Sequence, residues 1–161
     1  MMKKSICVIT GSRAEYGLLK NLIREIDLSK NFNYQLICTG SHLSKRSGNT
    51  IEEIKSDGFK ITSSIPILAK SSSAIDTCNS TSNCLKKISY ELHRLKPDIV
   101  VLLGDRFEIL ASAIAATILN IPIAHIHGGE VTQGAIDEAF RHSISKMALF
   151  HFAATDKYRN R

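Results

Sequence analysis

Histidines, carboxylates, arginines and glycines are concentrated where apolar stretches of the sequence end. Carboxylates and imidazoles can move protons in catalysis, arginines bind phosphate, and glycines let the backbone approach a ligand closely. The segments with this composition are residues 11–17, 40–42, 104–108, 125–130 and 134–142. We take them as the candidate functional segments of the chain.

The first of these segments, GSRAEYG at residues 11–17, lacks the G-x-G-x-x-G pattern of dinucleotide-binding folds. A junction from strand to helix still presents free backbone N–H groups and the positive end of the helix dipole, which suit a phosphate. Arg13 would add a bidentate donor to such a site. The alternative is an ordinary turn with a solvated Arg13.

The segment GDRFE at residues 104–108 also allows two interpretations. Asp105 and Glu108 have the spacing of a helix cap, in which case Arg106 and Glu108 are surface charges. Asp105 could instead be an acid or base at the end of a strand. Spacing alone favours the cap.

Two histidines in HIHGGE, residues 125–130, are two positions apart on a predicted strand. That spacing places both imidazoles on one face, followed by two glycines and Glu130. For His125 alone we favour a core histidine that is hydrogen-bonded to backbone. A zinc site is disfavoured, because the spacing of His125, His127 and Glu130 matches no metalloenzyme motif.

The next predicted helix carries two pairs of opposite charge at a spacing of four residues, Asp137 with Arg141 and Glu138 with His142. These could be ordinary pairs on the helix surface. Alternatively, an arginine beside a pocket could hold a carboxylate as a tuned acid or base. The sequence leaves both possibilities open.

The elements that must position these residues alternate between strand and helix. Strands are predicted at residues 5–10, 34–39, 60–65, 98–103, 122–127 and 148–153, and helices at 15–27, 50–56, 74–95, 107–119 and 136–146. A serine- and threonine-rich stretch at residues 71–82 is predicted to be a mobile loop that runs into the third helix. This alternation predicts one α/β domain over residues 1–161, a doubly wound, mostly parallel, Rossmann-like sheet of order 3-2-1-4-5-6.

Composition and charge narrow the range of possible binding partners. The 161 residues carry a net charge of +6, which favours acidic partners, but the basic residues are scattered and there is no tryptophan. We therefore expect a phosphorylated small molecule rather than nucleic acid. Without an apolar run of about 20 residues or a signal peptide, the chain is expected to be cytoplasmic, with no membrane partner and with its four cysteines as free thiols.

Seven motifs, taken in order, resemble the hydrolysing UDP-N-acetylglucosamine 2-epimerases, in particular their sialic-acid and legionaminic-acid branch. They are GSRAEYG (11–17), TGSHL (39–43), GNT (48–50), LKPD (95–98), GDRFE (104–108), HIHGGE (125–130) and DEAFRHSISK (137–146). The resemblance implies one Rossmann-like half of a glycosyltransferase-B-like architecture. It also implies a UDP-sugar substrate, no metal or cofactor, and inversion of C2 by elimination of UDP and hydration.

The resemblance also implies roles for individual residues. Asp105, His127 and Asp137 would be catalytic, with Arg141 positioning Asp137. The other residues that it places at the substrate are Arg13 at the diphosphate, Glu130 at the sugar hydroxyls, and His42, Arg106 and His142. Several family members have a glutamate in place of His127; this difference points to a different substrate, for which a 2,4-diacetamido-trideoxy sugar is one candidate.

Family members are more than twice as long, and their second domain supplies most uridine contacts. We therefore expect this chain to be an amino-terminal half, from a shortened reading frame or an excised domain, that lacks turnover alone and belongs to a homo-oligomer when full-length. The alternative is a non-catalytic sugar-nucleotide-binding or interaction module. A nicotinamide-dependent dehydrogenase is disfavoured, because Thr39-Gly40 stands where its acidic residue would end the second strand.

Overall fold

The computed structural model describes residues 3–69, 71, 73–132 and 136–160. Its strands are β1 (Lys4–Thr10), β2 (Phe32–Thr39), β3 (Ser63–Ile65), β4 (Ile99–Leu103), β5 (Ile123–Ile126) and β6 (Phe150–Phe152). Its helices are α1 (Arg13–Leu28), α2 (Ile51–Ser56), α3 (Ala74–Leu95), α4 (Phe107–Ile118), α5 (Asp137–Met147) and α6 (Asp156–Arg159). Two short 3₁₀ turns, Gly40–Leu43 and Lys45–Ser47, follow β2.

The six strands form one parallel sheet in the order β3-β2-β1-β4-β5-β6. The predicted α/β class and strand order are therefore confirmed. Strands β1 and β4 are neighbours at the centre of the sheet, where the direction of chain progression reverses. Ligands of open α/β sheets bind outside the carboxyl ends of the strands at such a switch point.

The inner strands of the sheet are buried on both faces, and successive residues of a strand point to opposite sides. In β1, Cys7 and Ile9 pack in the cluster that includes α3 and α4, whereas Val8 packs in the cluster that includes α1 and α2. All three side chains have no exposed surface. This two-sided burial explains why the strands are continuous apolar runs, and it holds their carboxyl ends rigidly in one row.

Some predicted boundaries differ from the structure. The predicted helix at residues 74–95 is confirmed as α3, so the overlapping prediction of a mobile loop at residues 71–82 is wrong from Ala74 onward. Ser73 caps this helix by accepting a hydrogen bond from the Asp76 N–H, and the Thr77 hydroxyl bonds back to the Ser73 carbonyl. Of the predicted segment 134–142, Gly134 and Ala135 lie outside the described residues. Within the described parts of the chain, no helix is long and apolar enough to cross a bilayer.

Candidate active site at the carboxyl edge of the sheet

Asp105 follows β4 directly and is held by an arginine from a distant part of the chain. Its Oδ2 accepts a hydrogen bond from Nη2 of Arg141, which lies on α5. The residue at the cap of α4 is Arg106, and it makes no side-chain capping bond. The cap interpretation of Asp105 is therefore wrong, and its carboxylate belongs to an ionic network at the strand ends.

Arg141 is the centre of this network and is 6% exposed. Its Nη1 donates to Glu130 Oε2 at 2.9 Å and approaches the His127 carbonyl at 3.5 Å, while Nη2 also donates to the Thr132 hydroxyl at 3.0 Å. One buried guanidinium thus joins the segments that follow β4 and β5. The expectation that Arg141 positions Asp137 is corrected, because its carboxylate partners are Asp105 and Glu130.

His127 lies beyond the end of β5, contrary to the predicted strand. The strand ends at Ile126, and His127 has a φ of +62°, a left-handed conformation that is uncommon for a residue with a side chain. Because of this turn His127 does not share a strand face with His125, and the predicted pairing of the two imidazoles is wrong. Strained backbone of this kind is concentrated at functional sites.

The imidazole of His127 pairs with Glu130 instead. Its Nδ1 lies 2.6 Å from Glu130 Oε1, and since a carboxylate only accepts, Nδ1 carries the hydrogen. Burial alone would raise the pKa of Glu130, but the bonds from His127 and Arg141 outweigh it and hold that pKa below its usual value. The half-buried His127 ring therefore has its orientation set at Nδ1 and offers Nε2 to a ligand.

His125 is a fully buried core residue, as we favoured for it. Its Nε2 donates to the Gly104 carbonyl at 2.8 Å, so Nδ1 accepts from the Ser145 hydroxyl at 3.1 Å. Burial lowers its pKa, which keeps the ring neutral. This pair of bonds ties Gly104, the residue before Asp105, to β5 and α5.

The two charge pairs predicted on α5 have different outcomes. His142 lies 3.0 Å from Glu138 on the exposed side of the helix, which agrees with the surface-pair interpretation. Asp137 is half-buried at the first turn of α5, and no hydrogen bond joins it to Arg141 among the described residues. Its charge acts instead on Arg106, whose pKa is lowered by burial but raised overall by Glu108, Glu15 and Asp137. Helix α5 connects the parallel strands β5 and β6, so its first turn, which carries Asp137, lies toward the carboxyl edge of the sheet, as Asp105 does.

Arg13 and His42 come from the first two strand ends. The Arg13 side chain is exposed, and its Nε donates to Glu53 at 2.9 Å beside a cleft of about 560 Å³. His42 has no exposed surface, and its ring bonds to the hydroxyls of Thr10 at 3.1 Å and Thr50 at 2.8 Å. Burial lowers its pKa to about 4. The expected contact of His42 with substrate is corrected, because its side chain presents no surface to a ligand.

Sequence reasoning missed two buried carboxylates, Glu15 and Glu108. Glu108 has no exposed surface, so its interpretation as a surface charge is wrong, and its Oε1 accepts from Arg106 Nε at 2.7 Å. Burial raises the pKa of Glu15 to about 7, and the charge of Glu108 adds to the effect. The spacing of Ser12 and Glu15, which resembles a capping box, was the one signal that could have located Glu15 in a helix turn facing the strand ends.

Together the parallel sheet, its switch point and the ionic network define the class of this protein, a Rossmann-like domain with a polar site at the carboxyl edge. The model of the family described as UDP-N-acetylglucosamine 2-epimerase matches residues 24–161, and the chain belongs to this family. It is 45% identical over its whole length to the GDP/UDP-N,N'-diacetylbacillosamine 2-epimerase (hydrolyzing) of Campylobacter jejuni. Over 99% of its length it is 41% identical to the UDP-N,N'-diacetylbacillosamine 2-epimerase (hydrolyzing) of Legionella pneumophila.

Solved structures show the same fold. The UDP-GlcNAc 2-epimerase of Methanocaldococcus jannaschii, in complex with UDP-GlcNAc and UDP, matches 97% of this chain with a TM-score of 0.82 and 26% identity. The match covers 42% of that chain, and the chain likewise spans 42% of both curated relatives. The domain therefore corresponds to one half of a glycosyltransferase-B-like architecture.

Proposed function

We propose that this chain is the amino-terminal part of a hydrolysing sugar-nucleotide 2-epimerase. The reaction removes the C2 hydrogen of a UDP-linked 2-acetamido sugar as the C1–O bond breaks and UDP leaves. Water then adds at C1, and a proton returns to C2 from the opposite face. The products are UDP and the free 2-epimeric amino sugar, of the N-acetylmannosamine type when the substrate is UDP-N-acetylglucosamine.

The observation that carries this proposal is the convergence of Asp105, Glu130 and the His127 backbone on one buried guanidinium, that of Arg141. Inversion at C2 needs proton-transfer groups on both sides of one sugar ring. Asp105 is a carboxylate whose position Arg141 holds, and we assign it the role of one such group. His127, with Nε2 open, and Asp137 are the candidates for the other face.

The remaining proposed contacts concern the nucleotide and the sugar hydroxyls. Arg106 and Arg13 are the cations at the strand ends that suit a diphosphate. Both carboxylate oxygens of Glu130 already accept bonds from the chain, so we assign it to orienting His127 and Arg141 beside the sugar. His142 lies on the exposed side of α5 and remains a candidate contact for the substrate. None of these steps uses a metal or a nicotinamide.

For the sugar we propose a 2,4-diacetamido-trideoxy hexose in preference to N-acetylglucosamine. Two observations support this choice: the histidine at position 127, and the names of the Campylobacter and Legionella relatives, which specify diacetylbacillosamine. The proposal includes a place on a cytoplasmic route to a nine-carbon acid of the legionaminic type, and a homo-oligomeric full-length enzyme.

A chimera tests the proposal. Residues 1–161 replace the matching segment of the Campylobacter relative, and release of UDP from UDP-N,N'-diacetylbacillosamine and from UDP-N-acetylglucosamine is followed by NMR in D₂O. We expect UDP release with deuterium at C2 of the product, and faster turnover of the diacetamido substrate. Asp105→Asn should lower kcat by at least about 100-fold, the usual size of a general acid–base contribution.

Three other outcomes would contradict parts of this proposal. An active chimera whose rate is unaffected by Asp105→Asn contradicts the assigned role of Asp105. Faster turnover of UDP-N-acetylglucosamine contradicts the choice of sugar. A folded chimera that binds UDP-sugars but releases no UDP overturns the catalytic proposal and supports a non-catalytic sugar-nucleotide-binding module.

A further inference from the structure

Glu108 is a carboxylate buried in the first turn of α4, beneath the ends of the central strands. It has no exposed surface, and two glycines leave the space that its side chain fills. A Cβ atom on Gly11 would lie 2.5 Å from Glu108 Oε1, and one on Gly40 would lie 2.8 Å from the same atom. These two glycines, at the ends of β1 and β2, therefore leave room for this carboxylate where a larger residue would collide with it.

The one side-chain bond of this carboxylate among the described residues goes to Arg106. Glu108 Oε1 accepts from Arg106 Nε at 2.7 Å, and Oε2 is buried without a partner. Glu15 Oε1 lies 3.7 Å from the same Nε, while its Oε2 accepts from the Gly11 N–H. Burial raises the pKa of Glu15 to about 7, and the nearby Glu108 adds to this effect. Of the two carboxyl groups, that of Glu108 is therefore the one within hydrogen-bond distance of the guanidinium.

Arg106 is hydrogen-bonded to the buried Glu108 through Nε, whereas the outer side of its side chain is exposed. Its side chain is 43% exposed, and it stands in the wall of a cleft of about 620 Å³ together with Gly40 and Phe107. Within the described part of the chain, no residue accepts a hydrogen bond from its two terminal nitrogens. A guanidinium with Nε engaged and both terminal nitrogens open has the fork geometry that binds a phosphate group.

We propose that Glu108 is a positioning residue, which fixes Arg106 through Nε so that its terminal nitrogens meet the diphosphate of a sugar nucleotide. This inference rests on the proposed function, since it assumes a nucleotide diphosphate at this edge. Burying a carboxylate costs free energy, and a buried ion pair is only a weak source of stability. We therefore attribute the burial of Glu108 to ligand recognition rather than to folding.

The test is a double-mutant cycle for UDP affinity in the chimera described above, with isothermal titration calorimetry as the measurement. Glu108→Gln should weaken UDP binding about tenfold, because a neutral amide holds the guanidinium less firmly. In an Arg106→Ala background the same substitution should change the affinity by less than about twofold, since Glu108 acts through Arg106. The matched control is Glu91→Gln, because Glu91 also accepts from an arginine, Arg94, but on α3; it should leave the affinity unchanged.

A second readout needs no ligand. The Nε–H of Arg106 should give a resolved, exchange-protected NMR signal that Glu108→Gln removes while the backbone spectrum stays that of the folded chain. Equal losses of affinity in the two backgrounds, or an unprotected Nε–H, overturn the positioning role. Absence of UDP binding by the unaltered chimera overturns the proposed ligand, whereas inorganic phosphate competing as well as UDP identifies a simple anion site and overturns recognition of a nucleotide.

Discussion

At the scale of single residues, the site depends on a few buried charges that compensate one another. Arg141 is almost fully buried, yet its terminal nitrogens are all used, by Asp105, Glu130 and the Thr132 hydroxyl. A buried cation is tolerated only with such partners. The same principle applies to His42, which is buried as a neutral ring between two hydroxyls and therefore resists protonation.

Two buried titratable groups should make stability depend on pH in opposite directions. The pKa of Glu15 is raised to about 7 in the folded chain from about 4.5 unfolded, so its contribution is present in acid and is lost as pH rises through 7. The pKa of His42 is lowered to about 4 from about 6.5, so its contribution is lost as pH falls from 6.5 through 4. Each effect has a slope of at most about 1.4 kcal/mol per pH unit.

Urea unfolding at a series of pH values measures both contributions. Relative to the unaltered chain, Glu15→Gln should remove the loss of unfolding free energy between about pH 4.5 and 7. His42→Gln should remove the loss that occurs on acidification between about pH 6.5 and 4. If the unfolding free energy of either variant changes with pH across its window as that of the unaltered chain does, the corresponding group is not buried as the structure places it.

At the scale of elements, the junctions from strand to helix decide what the site contains. Helices α1 and α4 both begin within four residues of the end of a central strand, and their first turns carry Glu15 and Glu108. The positive end of each helix dipole faces these carboxylates and favours negative charge there. Gly11 belongs to the same junction, because its missing side chain is the space that Glu108 occupies.

Alanine substitutions at two glycines should therefore have opposite effects. Gly11→Ala forces its Cβ against Glu108 and should lower the free energy of unfolding by about 1–3 kcal/mol. Gly17, within α1, has nothing within 4 Å of an added Cβ, so Gly17→Ala should raise stability by about 0.5–1 kcal/mol. Both are measured by urea denaturation, and a Gly11→Ala variant as stable as the unaltered chain would refute the close packing of Glu108.

At the scale of the whole molecule, the sheet has a polar edge of strand ends, where we propose the site, and an apolar flank. Strand β6 is the last strand of the sheet, and all three of its residues are exposed. Phe150 and Phe152 are 48% and 57% exposed, and Leu149 beside them is 63% exposed. Exposed apolar side chains on an edge strand are a typical site of protein association.

We predict that the 161-residue chain self-associates through this flank. Phe152→Lys should shift the sedimentation velocity profile toward the monomer, because a charge at the strand edge opposes pairing. Leu28→Lys is the matched control, since Leu28 is 72% exposed at the far end of α1, away from β6. A profile that is monomeric at every concentration for the unaltered chain would contradict the prediction.

The sequence by itself determined the α/β class, the strand order and the location of the polar segments, because apolar periodicity and glycine positions are local signals. It also indicated that His125 is a core residue. Only the tertiary structure decided that Arg141 holds Asp105, 36 positions away, that His127 turns out of β5, and that His42 and Glu108 are buried. Burial and the choice of ionic partners depend on which elements pack together, and neither leaves a periodic trace in the chain.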